Sequence, residues 1–196
     1  MTAIQQTAEA LEGAERFGDD YARDATRLTH GLVLVNQQGQ QRAAGLELLA
    51  PYSDASVGHG YSRWLIRFAN TEIAREKARV GDFEGAIAIA RQTEDFHFAS
   101  GEMLARGPAV TVLVESLRQR GVDSDLAEAE AAIERLAAVP TDPGFVMHEL
   151  PLLRLRALLA RAHGDETGYR DFADRYRAMA NDLGFEGHMA IAATMT

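Results

Sequence analysis

Four glycines, Gly39, Gly81, Gly121 and Gly164, interrupt apolar-periodic segments at separations of 42, 40 and 43 residues. Glycine readily takes the left-handed conformation that ends a helix, and a polar residue after it can cap the next one. In Ala74 to Arg91, AREKARVGDFEGAIAIAR, one helix runs into Val80, Gly81 and Asp82 break it, and a second starts at Phe83. That is the turn of a helical hairpin. A break recurring at so even a period marks an array of such hairpins. Small residues follow at similar offsets, Ala44 after Gly39 and Ala86 and Ala90 after Gly81, where they let paired helices approach closely.

The fold class expected is all-α. Ala, Leu, Glu and Arg are good helix formers, and β-branched residues rarely alternate with polar ones. The apolar periodicity predicts helices over 2–17, 21–38, 40–50, 61–80, 83–93, 103–120, 124–138, 147–163, 166–183 and 186–195, with Pro51 ending the third and a polar loop over 52–60. Asp19 or Asp20, and Asp123 or Ser124, are the expected helix caps. The clearest stripe is Tyr169, Phe172, Tyr176, Met179 and Leu183, at steps of 3, 4, 3 and 4. The organisation expected is a single domain over 1–196. It comprises a lone second helix (1–17), hairpins at 20–50, 61–93, 103–138 and 147–183, and a capping helix at 185–195. The lone helix predicts an incomplete first hairpin, hence a fragment of a larger protein or a truncated paralogue.

Charge and composition narrow the function. A net charge of −9 opposes non-specific binding to nucleic acid or to an anionic membrane. Lys77 is the only lysine, so 19 of the 20 cations are arginine. Without cysteine there is no disulfide, no thiol chemistry and no Cys-based zinc site. The first twenty residues lack the basic and apolar regions of a secretory signal, and no apolar run approaches a membrane span. A cytoplasmic location is expected.

The chemical motifs fail one by one. None of the six histidines is four residues from another, and His148-Glu149 is followed by Leu150, Pro151 and Leu152, which does not complete a zinc-protease helix. There is no GxSxG, and GxxxxGK[ST] is missing because Lys77 follows Glu76. Gly58 and Gly60 lack the third glycine and the preceding strand of a dinucleotide fingerprint. Trp64, Phe68, Phe96 and Phe98 sit at helical spacing and read as core rather than as a ligand cage. No catalytic residue, metal ligand or cofactor is expected.

GDFEGAIAIA resembles the turn of a tetratricopeptide repeat, which places Gly, an acidic residue, an aromatic and then Ala; Gly164-Asp165 resembles the same turn. The resemblance implies a right-handed superhelix of about four hairpins, at a period near 42. Longer repeats of this kind are similar to the C-terminal regions of signalling ATPases related to the maltose-regulon activator and of LuxR-type regulators. The ending LLARAHGDETGYRDFADRYRAMANDLGFEGHMAIAATM resembles the tail of actinobacterial multidomain proteins that join a class III adenylate cyclase, an AAA-type ATPase and a tetratricopeptide-like array.

In such arrays the first helix of each hairpin faces a concave groove, with recognition at positions three, six and ten before the turn glycine. The resemblance therefore implies partner-binding roles for Asn36, Thr71, Arg75, Thr111, Arg118, Arg154 and Arg161. Guanidinium binds carboxylate bidentately, so the partner expected is a protein or peptide, acidic in character. The open N-terminal helix adds an expectation of self-association. The function expected is thus a non-catalytic interaction and regulatory module. The alternatives are a small-molecule effector-sensing domain, and an enzyme with a spatially assembled His/Asp/Glu site.

Overall fold

The computed structural model describes residues 2–52 and 63–195. Ten α-helices and no strand occur among them: α1 (Ala3–Phe17), α2 (Asp20–Val35), α3 (Gly39–Leu49), α4 (Arg63–Arg79), α5 (Phe83–Ser100), α6 (Arg106–Arg120), α7 (Asp125–Ala137), α8 (Val146–Ala162), α9 (Glu166–Asp182) and α10 (Glu186–Ala193). A 3-10 turn, Ala50–Tyr52, follows α3. The chain forms two compact units, Met1–Ile89 and Ala90–Thr196, with the boundary inside α5.

The turns follow from glycine chemistry. Gly39, Gly81, Gly121 and Gly164 all have positive φ, at 60°, 87°, 71° and 75°. After two of them an aspartate caps the next helix: Asp82 accepts from the Gly85 N–H at 3.0 Å, and Asp165 from the Gly168 N–H at 2.9 Å. A β-carbon at Gly85 would lie 2.5 Å from the Asp82 carboxylate, so the recurring GDxxG spacing leaves room for the cap. Asp19 likewise caps α2, accepting from the Ala22 N–H at 3.0 Å. Ser124 makes no capping bond. The work falls to Asp125, which accepts from the Val122 N–H at 3.0 Å and pairs with Arg120.

In the first unit, Thr2 and Gln5 exchange hydrogen bonds to form a capping box that starts α1. Helix α1 packs on α2, α2 on α3, and α4 rests on both α2 and α3. The α2–α3 crossing is very close. A β-carbon at Gly45 would lie 2.5 Å from the Val35 backbone nitrogen and 2.9 Å from the Gly31 carbonyl oxygen. Leu28, Val35, Leu49, Tyr52, Ile66 and Ala69 form the core, and the Tyr52 hydroxyl donates to the Asp24 carbonyl at 3.3 Å.

In the second unit, α6 pairs with α7 and α8 with α9, while α8 also rests on both α6 and α7. The packing of α4 on α2 and α3 follows the same rule. Helix α6 is buried around most of its circumference, from Arg106 to Leu117, as a central helix should be. Pro151 lies inside α8 and cannot donate to the Met147 carbonyl one turn back. That carbonyl faces Gly107 of α6, where a β-carbon would lie 2.7 Å from it. Tyr169, Ala173, Tyr176 and Ala180 of α9 pack with Leu150, Leu153, Ala157 and Ala160 of α8, and Ala192 and Met195 complete that core from the C-terminal end.

The expected helix order matches the observed one, with shifted ends. Helix α5 continues past Thr93 to Ser100, stopped by Gly101 at φ 74°. Helix α6 starts at Arg106 rather than at 103, because the Glu102 carboxylate takes the Leu104 and Ala105 N–H groups into a turn. Helix α2 stops at Val35, short of 38. The loop expected over 52–60 lies outside the described residues except for Tyr52, as do the first two residues of the helix expected from 61. A β-carbon at Gly121 would meet nothing within 4 Å, so the value of this glycine is purely conformational. Gly121→Ala should cost about 1–2 kcal/mol, read as a lower urea midpoint; an unchanged midpoint would refute the assignment.

Candidate functional site

The recognition register falls on four helices, and its residues differ in what they are free to do. Thr71 on α4 and Thr111 on α6 are buried, and each donates its hydroxyl to the carbonyl four residues earlier, at 3.0 and 2.8 Å. They are committed within their own helices. Asn36 at the end of α2 is exposed and donates to the Leu32 carbonyl at 2.8 Å. Arg75 is paired with Glu72 one turn before it. In the second unit, Arg118 is exposed and has no partner among the described residues, while the Arg161 guanidinium lies 3.7 Å over the Tyr169 ring.

One member of the register is joined across helices. Arg154 of α8 pairs with Glu115 of α6, which itself stands six residues before Gly121. Around them lie Tyr176 of α9 and His188 of α10. Tyr176 is fully buried, and its hydroxyl is 2.8 Å from His188 Nδ1. Burial pushes His188 below the ordinary histidine range, and the Arg154 charge pushes it the same way. A neutral imidazole leaves Nδ1 able to accept a hydrogen bond from the Tyr176 hydroxyl. Burial also raises Tyr176, opposed by Arg154. The Glu115–Arg154 pair ties α6 to α8 and the Tyr176–His188 bond ties α9 to α10, and Arg118 stands three residues beyond Glu115 on α6.

A second polar group holds α5 to α7. Arg91 grips Glu128 with two bonds of 2.6 Å. Arg135 pairs with Asp95 at 2.8 Å and Glu94 at 3.2 Å. Glu94 is buried, which raises its pKa, while Arg135 pulls it down. Two guanidinium groups lie over the Phe98 ring, Arg135 at 4.0 Å and Arg106 at 4.8 Å from its centroid. Arg91 and Arg135 thus tie α5 to α7, and Arg106 ties α6 to α5.

Beside this group is a cavity of about 490 Å³, lined among the described residues by Met103, Pro140, Thr141, Asp142 and Phe145. These residues come from the α5–α6 turn and the α7–α8 linker. Among the described residues no three His, Asp or Glu side chains converge as metal ligands, and no helix is long and apolar enough to cross a membrane. Comparison with protein-family models, curated proteins and solved structures finds no match.

From the sequence Arg154 stands out, but its pairing with Glu115 does not, although both share the register. Nothing in the sequence hints at the Tyr176–His188 bond or at the cavity, whose walls are loop residues without a motif.

His188 and His148 both have pKa values lowered chiefly by burial. The unfolded chain therefore binds protons near the ordinary value of 6.5 that the folded chain refuses, and stability falls as pH drops below that value. Urea unfolding at pH 7.5 and 5.5 should show this loss, and His188→Gln should reduce it. An identical loss in the variant would show that His188 does not contribute.

Proposed function

We propose that the chain is a non-catalytic helical-repeat module of tetratricopeptide type that binds protein or peptide partners. It is of the kind carried by cyclase- and ATPase-linked signalling proteins. The observation that supports this most is the repeated packing rule, in which α4 rests on both helices of the α2–α3 pair and α8 on both helices of the α6–α7 pair. Stacking of that kind leaves extended surfaces on which successive hairpins present equivalent positions.

On α6 and α8 those positions carry Arg118, Glu115 and Arg154. Arg118 is the free cation among the described residues of this group, and the Glu115–Arg154 pair can exchange its internal carboxylate for one from a partner. The partner chemistry is therefore a peptide segment with acidic side chains. The exposed aromatics at the α1–α2 turn, Phe17 and Tyr21, give a second copy of the chain a surface to meet.

An array of immobilised acidic peptides, followed by fluorescence anisotropy on the best binder, tests the reading. Arg118→Ala should weaken that binding by about three- to tenfold, the range for an exposed charge pair and somewhat above. Its melting temperature should not change, because Arg118 supports nothing within the fold. Absence of saturable binding, or equal affinity in the variant, would count against the proposal.

A further inference from the structure

The cavity between the α5–α6 turn and the α7–α8 linker lies apart from the register on α6 and α8, and its chemistry is of another kind. Met103, Pro140 and Phe145 supply apolar walls; Thr141 and Asp142 supply a hydroxyl and a carboxylate. It is open to solvent, with Pro140 and Asp142 exposed, and at about 490 Å³ it falls in the size range of small-molecule sites.

Hydrogen bonds tie part of each wall to its neighbours. The Met103 sulfur lies 3.3 Å from Arg106 Nη1, and Arg106 is buried, with Nε and Nη2 donating to the His97 carbonyl at 3.3 and 3.2 Å. On the opposite wall, the Phe145 N–H donates to the Asp142 carbonyl at 3.2 Å, and the Phe145 carbonyl accepts from the His148 and Glu149 N–H groups, both at 3.0 Å. Glu149 in turn accepts from the Gly144 N–H at 2.8 Å. The linker is thus tied to the start of α8 at the Asp142–Phe145 end.

The charge preference follows from the carboxylates around the cavity. Glu102 accepts from the Leu104 and Ala105 N–H groups and Glu149 from Gly144, and both keep their negative charge. Arg106, whose acceptor is the neutral His97 carbonyl, keeps its positive charge and is outnumbered by the carboxylates of Glu102, Asp142 and Glu149. His148, buried on α8, has its pKa lowered and so carries no competing charge at neutral pH. Among the described residues, Asp142 is the charged member of the lining and its carboxylate has no partner.

We propose that this cavity binds a small organic cation with an aromatic body, an arylalkylamine in chemical class. Its ammonium group meets Asp142, and its ring lies against the Met103 thioether and the Phe145 ring, contacts that sulfur and aromatic groups both favour. The site is separate from the peptide-binding surface, and either can fail without the other.

The test is titration of the intact chain at pH 7 with phenethylamine, followed by calorimetry and by amide chemical shifts. A parallel titration uses phenylacetate, which has a similar ring and chain but the opposite charge. Phenethylamine should bind saturably at one site, with shifts centred on Met103, Thr141 and Phe145, and phenylacetate at least tenfold more weakly. Asp142→Asn keeps the side-chain shape at an exposed position and should weaken phenethylamine by about fivefold, as for a partly exposed ion pair. Its melting temperature without ligand should equal that of the parent. Lack of saturable phenethylamine binding, equal binding of phenylacetate, or unchanged affinity in Asp142→Asn would each overturn the proposal.

Discussion

The structure depends on helices that approach each other closely enough to leave no room for side chains between them. At the α2–α3 crossing the backbone of Gly45 lies against that of Val35 and Gly31. At the α6–α8 crossing Gly107 faces Met147 and Pro151. Alanines do the same elsewhere: Ala69, Ala86, Ala109, Ala129, Ala157 and Ala173 are all nearly or fully buried. Close approach raises the number of van der Waals contacts per residue, which is how a chain with modest aromatic content fills its core. It also fixes the distance at which longer side chains from neighbouring helices meet.

The charged groups then act within that geometry. Arg91–Glu128 and Arg135–Glu94 span α5 and α7, and Arg154–Glu115 spans α6 and α8. Exposed pairs of this type contribute about 0–1 kcal/mol each. Their larger effect is on specificity, because a shift of one helical turn would separate every pair. Glu94 is the exception in energy. Its carboxylate is buried, so removing Arg135 would leave it without its compensating charge. The Tyr176–His188 bond plays the equivalent part at the C-terminal end, where α10 adds Ala192 and Met195 to the core under α9.

Much of this was legible in the sequence because helix ends are written locally. A glycine forced to positive φ, followed by a capping aspartate, is recognisable from two adjacent residues, as at Gly81-Asp82 and Gly164-Asp165. Helix ends depart from expectation where other groups take over. Glu102 displaces the start of α6 by capturing backbone amides, and Asp125 replaces Ser124 in capping the turn before α7. The candidate surface was legible only as a register. The period placed Arg154 and Glu115 in equivalent helices, yet whether they meet depends on side-chain reach across α6 and α8. Thr71 and Thr111 show the converse: a regular spacing of hydroxyls arises because each returns to its own helix. The cavity walls come from two connecting segments far apart in the chain, and no periodicity links those.

Close backbone packing carries a consequence of sign that helix propensity alone does not. Gly13 and Gly45 both lie inside helices, and replacing either by alanine should by propensity stabilise by about 0.5–1 kcal/mol. A β-carbon at Gly13 meets nothing within 4 Å, whereas at Gly45 it meets backbone at 2.5 Å. Urea unfolding of the two single variants against the parent therefore separates the two effects. Close packing of helix backbones predicts that Gly13→Ala is stabilised while Gly45→Ala is destabilised by about 1–3 kcal/mol. Stabilisation of both would contradict it.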